Sequence, residues 1–417
     1  MARERAQYGA GAYAGLPDSL PSQFPRTIGP NAQTYLNEVL ASGLLSDMAG
    51  RFERRFAEEH GVAHCIATPG CTPALAALAA GLGEARGFKP GDEIIVSPVT
   101  DYGTVQGIIS EHYIPVFADA RPGDINMDAD TIRPCITERT RAILCVHMTG
   151  LICDMDPIMD LAREHDLLVI EDACQAAFGR YRGRLAGTLG HVGAFSFDSE
   201  KTMGSDMGGC LITNDDEIAD AVRFIGQSRG GEMIDGFGRA HTRLGYAYRM
   251  PLCTAAVTLA QLEIVHENVA KRDEMIRLLT TKLAEIPGIS PLAIPDYVTV
   301  YSCWMAGFSI DPAQFSCTSE EFAAQCAEAG IPAAGLGKYY LMPAALPFLT
   351  EWAKQGRYPY SQPPASRTYT YRAEDCPNAR DFLENFVRWS TFCEKYEPEH
   401  VELAARIVSD VAERNRR

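Results

Sequence analysis

Short runs of apolar residues on consecutive positions recur along the chain: "HCIAT" at 64–68, "EIIV" at 93–96, "AILCV" at 142–146, "LLVIED" at 167–172 and "GAFSF" at 193–197. A strand with one wet face alternates apolar and polar residues, whereas unbroken apolar runs require cover on both faces. Helix-like segments follow several of these runs, among them "PALAALAAGLG", "YGTVQGIISEH" and "DPIMDLAREH". Strand alternating with helix predicts an α/β fold, a mainly parallel sheet sandwiched by helices. After "GCLITND" the pattern turns helical, and "PGIS" at 287–290 reads as a break. Beyond it come a strand around "YSCWMAGFSI", a helix around "SEEFAAQCAEAG", a Pro- and Tyr-rich loop at 339–371 and terminal helices. The expected division is an N-terminal arm at 1–30, a large domain at 31–286 and a smaller α+β C-terminal domain at 287–417.

Composition removes several classes of function. The 417 residues carry 38 basic and 54 acidic side chains, a net charge of −16. This balance opposes a phosphate-tracking surface, so no nucleic-acid partner is expected. The opening residues lack the apolar core of a secretory signal, and no apolar run is long enough to span a bilayer. Thirteen scattered cysteines contain no C-x-x-C pair. They predict reduced thiols in a cytoplasmic protein, with no metal site.

In parallel sheets ligands sit beyond the carboxyl ends of the strands, and three chemistry-bearing stretches fall there. "ATPGCT" ends one strand and opens a helix, whose free N–H groups and Thr72 hydroxyl suit a phosphate. "LLVIEDACQ" delivers Asp172 and Gln175. "GAFSF" delivers Ser196, and the turn after it carries Lys201. Singly, each has an ordinary structural reading: a helix cap, a strand-end carboxylate, a loop lysine. Together, in this order, they match what pyridoxal 5'-phosphate requires. Its phosphate takes a helix N-terminus, its ring nitrogen an anion, and its aldehyde an amine with which to form a Schiff base.

Four blocks carry a resemblance: "INMDADTIRPCITERTRAILCVHMTG", "DLLVIEDACQAAFG", "GAFSFDSEKTMGSDMGGCLITND" and "GRAHTRLGYAYRMPLCTAAVTLAQLE". In this order the chain resembles the DegT/DnrJ/EryC1/StrS sugar aminotransferases, which belong to the fold-type I pyridoxal phosphate enzymes. The resemblance implies that Lys201 bonds the cofactor and shuttles the proton, with Asp172 at the ring nitrogen and Gln175 beside the ring hydroxyl. It also implies that Ser196, Thr72 and the Cys71 N–H hold the phosphate and that Tyr102 stacks on the ring. The implied activity is ping-pong transfer of an amino group from glutamate or glutamine to a keto-sugar or keto-cyclitol. A homodimer with interfacial sites follows, in antibiotic or surface-glycan biosynthesis.

The chain departs from the family pattern at four points. The glycine-rich turn reads "DMGG", with Asp206 and Met207. Ala247 stands where an asparagine is usual, and Met305 where a histidine is common. Two other readings therefore stay open. One is a pyridoxal phosphate-dependent dehydratase, although family dehydratases typically carry histidine in place of the lysine. The other is a non-catalytic cofactor-binding regulator.

Overall fold

The consecutive apolar runs form five strands of one seven-stranded sheet. The computed structural model describes residues 13–331, 333–335, 340–389 and 392–417. In chain order the strands are β1 (His64–Thr68), β2 (Glu93–Val96), β3 (Ile114–Phe117), β4 (Thr140–Val146), β5 (Leu168–Asp172), β6 (Val192–Ser196) and β7 (Gly209–Thr213). They lie side by side as β1-β7-β6-β5-β4-β2-β3. The β2–β3, β2–β4, β4–β5 and β5–β6 pairs are parallel, and β7 runs antiparallel between β1 and β6. Residues 197–208, joining β6 to β7, contain no helix. Without a crossover the chain can only turn back, and the reversal leaves Lys201 at the carboxyl edge of the sheet.

Both faces of the sheet are buried, in two different clusters. On β5, Val169 joins one cluster and Ile170 the other. On β4, Ile143 and Cys145 face one way, while Ala142, Leu144 and Val146 face the other. Successive side chains point to opposite faces, so every position of such a strand must be apolar. Helices α2 (Met48–His60) and α7 (Leu252–Leu262) cover the first face. Helices α3 (Cys71–Ala85), α4 (Tyr102–Ser110) and α6 (Asp216–Gly226) cover the second.

The C-terminal part adds a four-stranded antiparallel sheet in the order β8 (Ile289–Pro291), β9 (Ala306–Ile310), β11 (Phe386–Trp389), β10 (Ala333–Gly335). The helix expected at "SEEFAAQCAEAG" spans Ser319–Glu328 and starts on a capping box between Thr318 and Glu321. The fold is thus a mainly parallel α/β sheet with a smaller α+β unit. All thirteen cysteines are free. Among the described residues, no helix is long and apolar enough to cross a membrane.

The stretch expected as an irregular loop at 339–371, of which residue 339 lies outside the described residues, is irregular only at 355–371. From residue 340 onward it holds two helices, α10 (Met342–Ala345) and α11 (Pro347–Lys354), each with a proline in its first turn. Met342, Leu346, Leu349 and Ala353 recur at helical spacing and pack, with Tyr360, Tyr369 and Tyr371, into the cluster under α3 and α4. The Tyr369 hydroxyl donates to buried Glu93 at 2.8 Å, and Tyr371 to the Pro115 carbonyl at 3.0 Å. The tyrosines read as loop residues because no periodicity marks them, yet all three bury their rings, and Tyr369 and Tyr371 also find polar partners. Of the expected N-terminal arm, residues 1–12 lie outside the described residues. Residues 13–30 hold no helix or strand and run past the Lys201 turn.

Candidate active site

The ends of β1, β5 and β6 meet at a cleft of about 310 Å³. Cys71, Thr72, Asp172, Gln175, Ser196 and Lys201 all line it. Tyr102 does not. It opens α4 between two lining residues, Asp101 and Gly103, but it is 44% exposed and its ring edge meets Phe348.

The cradle at the head of α3 is set by close backbone contacts. Gly70 offers no side chain to cap the helix, so the first N–H groups keep no intrahelical partner. In β7, Gly209 lies opposite both Ser196 and Thr68. A Cβ on Gly209 would fall 2.4 Å from the Cys71 nitrogen. The preceding Gly208 has φ +125°, in the region that favours glycine. The glycine pair of "DMGG" therefore presses β7 against the helix start. Asp206 of the same turn accepts a hydrogen bond from the Thr254 hydroxyl at 3.1 Å, whereas Met207 is exposed.

Asp172 is 5% exposed. One of its oxygens accepts from the Thr104 hydroxyl at 2.8 Å, and the other from the Cys174 N–H at 3.2 Å. Among the described residues no cation pairs with it. Strand alternation sends its neighbour Glu171 to the opposite face. There Glu171 accepts from the N–H groups of Gly187, Leu189 and Gly190 and contacts His147. One carboxylate is fully used inside the protein; the other faces the cleft without a counter-charge.

Gln175 is oriented by a single contact. Its Oε1 accepts from the Thr149 N–H at 2.6 Å, which leaves the amide NH2 as the end available to a ligand. Ser196 Oγ accepts from the Asp198 N–H at 3.3 Å and keeps its own hydrogen. The Cys71 and Cys174 sulfurs and the Asp172 carboxylate lie within 4.8 Å of one another. Burial, followed by the neighbouring Cys71 thiol, pushes Cys174 well above the usual thiol range, so it stays a neutral wall of the cleft.

Lys201 stands on a turn closed by its N–H to the Asp198 carbonyl at 2.9 Å, and its Nζ lies 4.3 Å from the centroid of the Trp304 ring. Trp304 and Thr104 were not singled out as site residues from the sequence. Thr104 carries no motif. Trp304 precedes the strand "AGFSI", and nothing local signals that it faces a lysine far away in sequence. Met305 is fully buried and Ala247 is exposed.

The residues present fit pyridoxal phosphate on their own chemistry. A nearly buried carboxylate without a cation is costly unless a positive group joins it, and a protonated ring nitrogen is such a group. Helix N–H groups beside two hydroxyls suit a phosphate. The cleft volume falls within the range usual for small-ligand sites.

The sequence pattern described as the DegT/DnrJ/EryC1/StrS aminotransferase family matches residues 26–388. GDP-perosamine synthase of Caulobacter vibrioides is 39% identical over 268 residues, which cover 63% of this chain and 69% of that protein. A Streptoalloteichus tenebrarius protein carrying the name L-glutamine:3-amino-2,3-dideoxy-scyllo-inosose aminotransferase is 35% identical, with 67% of this chain and 68% of that protein aligned. Among solved structures, 3-amino-5-hydroxybenzoic acid synthase superposes with a TM-score of 0.79 at 25% identity, covering 96% of this chain and 100% of that one.

Proposed function

The chain belongs to the DegT/DnrJ/EryC1/StrS aminotransferase family, and we propose that it aminates the carbonyl group of a sugar or cyclitol, taking nitrogen from glutamate or glutamine. The reading rests on one observation: the Asp172 carboxylate, which no described cation pairs with, a helix N-terminus and Lys201 converge on a single cleft. The two relatives act, by their names, on a nucleotide-linked sugar and a cyclitol, and the second names glutamine as its donor.

Bound in the cleft, pyridoxal phosphate supplies an aldehyde that condenses with amines and a ring that accepts electron density. The remaining work falls to this chain's side chains. Asp172, held by Thr104 and Cys174, keeps a negative charge where the ring nitrogen needs it. The Gln175 NH2 donates to the ring hydroxyl oxygen. The Cys71 and Thr72 N–H groups and the Thr72 and Ser196 hydroxyls take the phosphate. Tyr102 stands between the lining residues Asp101 and Gly103, and its ring would have to turn from Phe348 toward the cleft to cover the cofactor ring. Lys201 is the general base and acid: its amine removes a proton from the donor carbon, and its ammonium returns one at the acceptor carbon. Leu75, Val146 and Trp304 line the same cleft and limit water.

The protein works as a cytoplasmic homodimer in this reading. Met207, Met233, Phe237 and Leu244 are large apolar residues exposed on the single chain, and a second copy would cover them. Residues 31–286 form the cofactor-binding domain and 287–417 the smaller one.

Borohydride reduction of the cofactor-loaded protein should place a pyridoxyl group on Lys201 by peptide mapping. The loaded protein should then release 2-oxoglutarate from glutamate, or its amide from glutamine, and regain its starting absorbance with one member of a panel of free and nucleotide-linked keto-sugars and keto-cyclitols. A bound cofactor that exchanges nitrogen with no amino acid would instead make the protein a cofactor-binding regulator.

A further inference from the structure

The carbonyl groups around Lys201 are occupied from outside its own turn. Arg26, in the extended N-terminal segment, donates from Nη1 to the Ser199 carbonyl at 2.9 Å and from Nη2 to the Thr202 carbonyl at 3.0 Å. The Glu200 carbonyl accepts from Gln23 Nε2 at 2.9 Å and from the Trp304 indole N–H at 2.9 Å. Gly204 makes room for this arrangement, because a Cβ there would lie 3.0 Å from Arg26 Cζ and 2.7 Å from the Asp198 carbonyl oxygen. Trp304 is itself tied to the cleft. Its backbone N–H donates to the Thr149 carbonyl at 2.9 Å, and the Thr149 N–H holds Gln175.

Two physical consequences follow. A turn whose carbonyls are gripped from two directions cannot rotate its peptide planes without breaking several hydrogen bonds at once, so the Lys201 Cα is fixed. The lysine side chain still has four rotatable carbons. The indole face 4.3 Å from Nζ limits them, because its negative quadrupole attracts an ammonium group. Other titratable or charged groups face the same space: Asp172 at the end of β5, Cys174 just after it, Cys71 on α3, Asp101 at the head of α4, Tyr340, and Asp198 and Glu200 on the turn itself. Among the described residues none of these groups forms an ion pair with Lys201, and the indole ring lies directly against its ammonium.

We propose that Arg26 and Trp304 are positioning residues for Lys201. Arg26 locks the backbone of the turn, and the Trp304 ring is the resting place of the Lys201 ammonium whenever the lysine is not bonded to the cofactor. This rests on Lys201 being the cofactor lysine. It adds two residues, one from the N-terminal segment and one preceding β9, that decide how fast the amine finds the cofactor.

The test follows cofactor capture by the stripped protein. Cofactor-free protein is mixed with pyridoxal phosphate, and the absorbance of the lysine-bound cofactor is followed across the pH range in which a lysine amine loses its proton. Trp304→Leu removes the ring that favours the ammonium form, so the midpoint of the capture rate should move to lower pH by about half a unit. Its plateau rate should fall about tenfold, because the ring no longer limits the rotamers of the lysine side chain. Trp304→Phe keeps a ring and loses the indole N–H, so the midpoint should stay near that of the parent while the plateau falls. Arg26→Met should lower the plateau by a similar factor. Unchanged midpoint and plateau in Trp304→Leu would overturn the inference. So would losses in all three variants that merely follow a lower folded fraction, measured by thermal melting, with parental capture in the folded remainder. Borohydride mapping on the parent keeps the two readings apart: an adduct elsewhere sinks the assignment of Lys201, whereas an adduct at Lys201 with parental capture in the variants sinks only the positioning role.

Discussion

Substituting alanine for Gly209 tests the cradle at its narrowest point. The added Cβ would stand 2.4 Å from both the Cys71 nitrogen and the Gly70 carbonyl carbon, and 2.7 Å from the Phe195 carbonyl oxygen. Ordinary contact begins near 3.4 Å, so β7 and the head of α3 must separate by about 1 Å. All three atoms are backbone, and none can swing aside as a side chain could. Overpacking of this kind costs about 1–3 kcal/mol. The displacement falls on the Cys71 N–H, which is assigned to the cofactor phosphate. If about half of that cost appears in binding, the dissociation constant for pyridoxal phosphate rises about twofold to twelvefold. Equilibrium titration of cofactor-free protein, followed by absorbance, reads this directly, and urea unfolding of the same protein reads the stability term. Gly226→Ala is the control: its Cβ would meet only Ala77 at 3.5 Å, so it should leave cofactor affinity unchanged. A Gly209→Ala protein that binds cofactor as tightly as the parent would show that the head of α3 is not the phosphate site.

Three other substitutions probe separate parts of the molecule. Asp172→Asn should lower turnover by about a hundredfold or more while cofactor still binds. The same change should stabilise the cofactor-free protein in urea, because it removes a buried charge that lacks a cation; unchanged turnover would remove Asp172 from the ring site. Burial pushes the His60 imidazole down to about 4 against an ordinary 6.5, so the folded state resists protonation. Its stabilising contribution is complete above the ordinary value and is lost as pH falls from 6.5 toward 4, a difference of about 3 kcal/mol. His60→Phe should flatten the stability–pH curve in that window, and an unaltered slope would contradict the assignment. Leu349→Ala empties a fully buried position on α11 and should cost about 2–5 kcal/mol in urea unfolding. A neutral result would mean that residues 342–353 do not pack on the large sheet.

The amino-acid sequence by itself determined the doubly covered sheet, because strands buried on both faces cannot hide their composition: Val169 and Ile170 are adjacent and both apolar since each meets a different helical layer. It also placed Asp172 and Ser196 at strand ends and Lys201 in the turn that follows, since strand limits are local. The residues that complete the cleft are set by contacts between distant segments, and no local pattern reports those. Trp304 reaches Lys201 across about a hundred residues, Thr104 reaches Asp172 from α4, and Arg26 reaches the Ser199 carbonyl from the N-terminal segment. Packing alone also decided that the stretch after residue 340, helical at 342–354 and irregular at 355–371, is buried as a wall, and that Tyr102 rests on Phe348 outside the cleft. Burial of a side chain against a distant partner depends on the fold as a whole, whereas periodicity and strand ends depend only on neighbours in the chain.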